Sequence, residues 1–389
     1  MRSGFVRGMF HVKHQHSIHD INTDTASAPR LRVARMRLVA AVAGAALLLG
    51  GCAGVAKPLG WAAPVIANEA VLVQVAPGQI ALLDPATGNA AWRFPQEKDD
   101  ANPFYATPLI DGSTVYLAGY SGLVRRLDIS GGAPAQAWEV QLEHRVVATP
   151  VVDGDTLLVP TEHGGIERLN LGSGNRGEPI LTDESRVWGA PALSNGILYL
   201  GDLDRGVTLA IDPDSGQELW SQSFVGASAA DLVVADGTLY VASFDRSLHA
   251  LDIGNGGTER WTFQGDGWFM GAPLVQGETV YVATMRGTVY ALDAVTGAQR
   301  WAQTVEGAEY RTTPVVANAS LVAIDRKGII TALDLSTGAP IWTTTIENVE
   351  FNAHAMVRGT DIFLVTSQHD VLRVDAANTG AVQRLTVSD

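Results

Sequence analysis

The sequence predicts an all-β fold, an eight-bladed β-propeller of four-stranded antiparallel blades, and three observations carry that expectation. Six of the nine tryptophans, Trp92, Trp138, Trp220, Trp261, Trp301 and Trp342, are separated by 46, 82, 41, 40 and 41 residues. A second series, Asp84, Asp128, Asp212, Asp252, Asp293, Asp334 and Asp375, with Asn170 in the remaining place, recurs every 40 to 44 residues and counts eight units. Each unit repeats one phrase, fullest from Ala272 to Trp301, which runs through three alternating strands into a fourth with glycine at the turns. A self-similar four-strand unit of about 40 residues is the signature of a propeller blade.

Taken from the N-terminus, residues 1–35 are polar, carry His11, His14, His16 and His19 and show no periodicity. They are expected to be an overlong start or a disordered extension, with Met36 opening the first functional segment. Residues 36–51 read as an export signal: Arg37 precedes the apolar run Leu38–Leu49, which is too short to span a bilayer and ends in Gly50-Gly51 before Cys52, the only cysteine of the chain. That pattern is a lipobox and resembles the signal of bacterial lipoproteins, which implies lipid attachment at Cys52. Residues 52–60 would be the tether. Its last eight residues reach roughly 26 to 29 Å when extended, so a propeller over 61–389 would stay close to the membrane.

Within each blade the recurring Asp or Asn precedes a Thr-Gly, Ser-Gly or Gly-Gly pair, as in Thr296-Gly297 and Thr337-Gly338. A carboxylate or amide there can accept backbone N–H groups across the turn while glycine takes the left-handed conformation. These aspartates read as turn formers rather than as a ring of metal ligands. The tryptophan at the start of the fourth strand offers a broad face for docking on the next blade, which seals sheets that cannot bury both faces alone. Blade three departs from the pattern with Asn170, Pro160 and Pro179-Ile180 where Trp belongs, so its edge is expected to be irregular. Blade eight has Val382 in the Trp place and blade five has Asp231 for the usual Pro. The closure of the ring stays open at this stage.

The three tryptophans outside the docking series, Trp61, Trp188 and Trp268, all lie just before the first strand of a blade. The same loops carry Phe104, Tyr105, Phe269, Tyr310, Arg311 and Phe351. The first strand of a propeller blade is innermost, so these residues are expected around the central opening on one face. They read either as a partner-binding rim, since aromatics and arginine dominate interaction hot spots, or as packing that plugs the opening.

No catalytic, cofactor or metal site is expected. The five histidines beyond Cys52, His144, His163, His249, His354 and His369, sit in unrelated repeat positions without a nucleophile motif and read as surface or turn residues. The segment Gly201–Gly206 falls where a hairpin turn belongs and lacks the distal Glu of a calcium loop. Beyond Cys52 the chain holds 20 basic and 39 acidic residues, a net charge of −19. Such acidity argues against nucleic acid as a partner.

The phrase Ala-x-Asp-x-x-Thr-Gly-x-x-x-Trp, present at Ala291–Trp301 and again at Ala332–Trp342, resembles the repeat of pyrroloquinoline quinone (PQQ) dehydrogenases. That resemblance implies eight blades, and in those enzymes also an adjacent cysteine pair and calcium-binding Glu, Asn and Asp; here no cysteine pair exists. A lipobox followed directly by such a propeller is similar to the BamB family of envelope lipoproteins. The family implies a non-enzymatic, lipid-anchored scaffold facing the periplasm or cell exterior, monomeric, with envelope proteins and the β-barrel assembly complex as partners. A carbohydrate or cell-wall binding propeller and a PQQ-dependent oxidoreductase are the alternative readings.

Overall fold

The computed structural model describes residues 60–181, 185–223 and 228–387. The expected N-terminal segments 1–35 and 36–51, Cys52 and most of the tether lie outside the described residues. Eight antiparallel sheets are present. Each is made from one contiguous stretch of chain, from blade one (Val65–Ala67, Ala70–Ala76, Gln79–Leu83, Ala90–Phe94) to blade eight (Met356–Arg358, Asp361–Val365, Val371–Asp375, Ala381–Leu385). Seven sheets have four strands in sequential order and blade three has three. Its missing fourth strand is reduced to isolated bridges, Ile166 to Ile180 and Leu169 to Arg176, at the place where proline displaces the docking tryptophan.

Blade seven shows why these residues form this unit. Its second strand, Ser320–Ile324, is buried at every residue, and its third, Ile329–Asp334, is buried at all but its two ends. The fourth, Pro340–Thr345, alternates between exposed and half-buried residues. The middle strands are covered on both faces by neighbouring blades and so read as apolar runs, while the outer strand keeps the period of two of a half-solvated edge. At the third turn Asp334 Oδ1 accepts the N–H groups of Ser336 and Thr337 at 3.0 and 2.8 Å. Asp84, Asp128, Asn170, Asp212, Asp252, Asp293 and Asp375 make the same type of contact.

The buried hydrophobic residues form eight clusters, one at each seam between successive blades. Trp92, Trp138, Trp261 and Trp301 are buried, and Trp220 and Trp342 are partly buried, within these seams. All six tryptophan-bearing fourth strands carry a register shift immediately beside the tryptophan pair, as between Ala291 and Leu292 opposite Trp301. The extra residue sits just before the indole. A β-bulge bends its strand and re-aims the neighbouring side chain, and the fourth strand of blade eight, which has no tryptophan, pairs without one.

The eighth seam closes the ring by packing. Val71, Val73 and Leu83 of blade one meet Phe363, Val371 and Leu385 of blade eight, and the innermost strands of the two blades touch. Leu385, not Val382, takes the tryptophan's role: a Cβ on Gly88 would stand 2.9 Å from Leu385 Cβ, while Val382 is exposed. Without the bulge the strand keeps its alternation, which turns Val382 outward. A second correction concerns blade five. Its first strand begins at Val233, so Leu232 stands in the proline place and Asp231 in the place before it.

Candidate functional site

The loops that precede the first strands and the turns between second and third strands share one face of the ring. A repeated backbone hydrogen bond ties them together: Tyr120 to Pro103, Glu162 to Arg145, Leu203 to Arg186, Met285 to Trp268, Arg326 to Glu309 and Ser367 to Glu350. A buried side chain shapes each turn, that of Thr161, Asp202, Ser243, Thr284, Asp325 or Thr366, each 41 residues from the last; Thr161 Oγ1 donates to the His163 and Gly165 carbonyls, while the other five accept backbone N–H groups. Asp325, for example, accepts the N–H of Glu309 at 2.6 Å and of Lys327 at 2.8 Å. Asp202 accepts from Arg186, Asp204 and Arg205, so the segment 201–206 is a turn organised by its own carboxylate. Blade two has Gly119 in this place, and the side chain of Asn102 fills the space instead.

On this face the residues singled out from the sequence separate into two groups. Trp61, Trp188 and Trp268 are 49%, 44% and 54% exposed and are the exposed tryptophans among the described residues. Arg311 is also exposed and Tyr105 is half-buried. Phe104, Phe269, Tyr310 and Phe351 are each 1% exposed and belong to inter-blade cores. They occupy one place of the repeat, three residues before the ring-lining position, and point into the seams; the Tyr310 hydroxyl there has no hydrogen-bond partner among the described residues. The surface therefore consists of the three indoles, Tyr105 and Arg311.

Further residues extend it. Trp61 meets Tyr105 edge-on with ring centroids 4.2 Å apart, Tyr105 meets Tyr120 at 4.8 Å, and the Arg145 guanidinium lies 4.9 Å above the Tyr120 ring while donating to its hydroxyl at 3.0 Å. Burial pushes the Tyr105 phenol up from its ordinary value. This ladder crosses the faces of blades one to three. Phe244 approaches Trp268 at 6.5 Å. On blades seven and eight the same face is charged: Arg326 joins Glu309 to Glu350, and Lys327 pairs with Glu309 at 2.6 Å, which holds the Glu309 carboxyl below its ordinary value. Tyr120, Phe244 and Arg326 lie in the second-to-third-strand turns, outside the loops on which the rim is expected from the sequence. The 41-residue spacing of the buried turn residues is the signal in the sequence that marks those turns as one recurring feature.

A second ring lines the axis. Ala63, Thr107, Thr149, Ala190, Asp231, Ala272, Thr313 and His354 each stand two residues before a first strand. Members accept the backbone N–H of the equivalent residue one blade earlier: Thr107 from Ala63 at 3.3 Å, Thr149 from Thr107 at 3.1 Å, Asp231 from Ala190 at 2.7 Å and His354 from Thr313 at 3.1 Å. Of the histidines read as surface or turn residues, His249 is instead buried within a strand, with Nδ1 2.8 Å from Glu259, and His369 is a buried turn residue. Among the described residues no group of three or more His, Cys, Asp or Glu is placed to hold a metal ion.

The sequence profile of the family described as outer membrane protein assembly factor BamB matches residues 76–202 and 204–388. Among solved structures, BamB from Moraxella catarrhalis superposes with a TM-score of 0.66 at 21% identity, covering 80% of this chain and 92% of that one. The computationally designed Ika8 protein gives 0.70 at 17% identity, covering 81% and 95%. A europium-containing methanol dehydrogenase gives 0.61 at 12% identity, covering 80% and 81%. At these identities the likenesses show the shared propeller fold. No curated protein sequence matches the chain.

Proposed function

Because this chain belongs to the BamB family of outer membrane protein assembly factors, we propose that it is a non-enzymatic scaffold of the cell envelope that presents one propeller face to protein partners of the β-barrel assembly complex. The observation that carries this reading is the segregation of exposed indoles. Trp61, Trp188 and Trp268 lie on loops of a single face, in a ring whose other six tryptophans are spent on seams. Large aromatics left in water on one face, with an exposed arginine on the loops of that face, are the composition of protein-binding hot spots. The lipobox ending at Cys52 supports attachment to a membrane, the outer one in a host that has two. A monomer fits, since one chain closes the ring by itself.

Crosslinking in intact cells, followed by identification of the captured proteins, tests the proposal. Adducts with components of the β-barrel assembly complex are expected; adducts confined to other proteins would refute that assignment. Cell-wall glycans would stack on the same three indoles, and purified glycan that leaves their fluorescence unchanged would exclude that alternative. Quinone absorbance in purified protein would instead favour an oxidoreductase.

A further inference from the structure

His354 and Asp231 face each other across the centre of the ring, with His354 Nε2 3.9 Å from Asp231 Oδ2. Blade eight packs against blades seven and one, and blade five against blades four and six. Side chains from blades that are not neighbours can meet only over the central opening. Each of the two is also hung from a neighbouring backbone: Asp231 Oδ1 accepts the Ala190 N–H at 2.7 Å, and His354 Nδ1 is 3.1 Å from the Thr313 nitrogen. A backbone amide only donates. Nδ1 must therefore offer its lone pair, and in the neutral ring the proton sits on Nε2, toward Asp231. That tautomer leaves no lone pair at Nε2 for a metal, and it places the imidazole between two opposing demands. The Thr313 amide requires an unprotonated Nδ1, whereas the carboxylate attracts a cationic ring.

We infer that His354 is a proton-operated latch at the central opening: neutral, it holds Thr313 of blade seven, and protonated, it releases Thr313 and pairs with Asp231 of blade five. The proton comes from solvent and takes the Nδ1 lone pair. Both ring nitrogens then carry N–H, the Thr313 amide loses its acceptor, and the cationic ring is drawn to the carboxylate. The other six members of the axial ring are uncharged. Of the remaining charged groups on these loops, Glu350 is held by Arg326, Glu309 by Arg326 and Lys327, and Arg311 is exposed. The latch is a property of the ring and stands independently of the assembly role.

Site-resolved amide hydrogen exchange of the full propeller at about pH 8 and about pH 5 tests the latch. After correction for intrinsic exchange, protection of the Thr313 amide is expected to fall about tenfold or more on acidification. His354→Thr installs the acceptor that Thr107 and Thr149 already use in this position, so Thr313 should stay protected in that variant at both pH values. In a structure determined at about pH 5 the His354 ring should lie within hydrogen-bond distance of the Asp231 carboxylate. Unchanged protection in the wild type, or an equal loss in His354→Thr, would overturn the proposal; a ring still seated on Thr313 at about pH 5 would overturn its cross-channel half.

Discussion

The six-membered ring of Trp301 covers Gly338 of the next blade: a Cβ on that glycine would stand 2.5 Å from the indole Cε3, and the indole Nε1 donates to the Leu335 carbonyl at 3.0 Å. Trp138, Trp220, Trp261 and Trp342 meet Gly174, Gly257, Gly297 and Gly380 in the same way. The turn glycine thus serves two ends, the left-handed backbone of its own hairpin and the flat seat for its neighbour's indole.

Replacing Gly338, at φ 73°, with Ala adds overpacking to backbone strain and should destabilise by about 2 to 5 kcal/mol. Gly112 has φ 57° and open space around a built Cβ, so Gly112→Ala should lose only about 1 kcal/mol. Denaturant unfolding of the two variants checks the difference.

Trp301→Ala should cost about 3 to 5 kcal/mol by emptying the seam. In that background Gly338→Ala should lose its steric part and cost little more than Gly112→Ala. A double-mutant cycle measures this coupling; strictly additive losses would separate the two residues.

Tyr310 occupies the place that Phe104, Phe269 and Phe351 fill elsewhere, and burial pushes its phenol well above the ordinary value. Its hydroxyl has no partner among the described residues. Tyr310→Phe should be neutral or stabilising by about 1 kcal/mol, read from the unfolding midpoint; a loss of stability would mean that the hydroxyl is bound.

Acid should weaken the turns. Hydrogen bonds from Ser336 and Thr337 lower the Asp334 carboxyl to about 2, against about 3.9 in an unfolded chain. The folded value is depressed, so the contribution is present above about pH 4 and is lost as pH falls through about 2. Asp334→Asn should keep the turn, as Asn170 does through its Oδ1 bond to the Ser173 N–H at 3.0 Å, and should flatten stability against pH over that interval. An unchanged pH profile would contradict this.

Blade number and turn chemistry were legible because each depends on local spacing and repeats eightfold. The fate of the loop aromatics was not: Phe104 and Tyr105 are adjacent in sequence, yet one is buried in a seam and the other half-exposed, because the backbone bond from Tyr120 to Pro103 fixes which of the two turns inward. Leu385 at the closing seam was hidden for a related reason, since no bulge shifts its strand. His354 and Asp231, 123 residues apart in sequence, are brought together only by closure of the ring.

The surface assignment is tested most directly by the combined variant Trp188→Ala, Trp268→Ala, with capture of β-barrel assembly components measured beside thermal unfolding. The account predicts an unchanged melting transition, since both indoles are exposed, and loss of capture. Capture retained at the wild-type level by the folded double variant would contradict it.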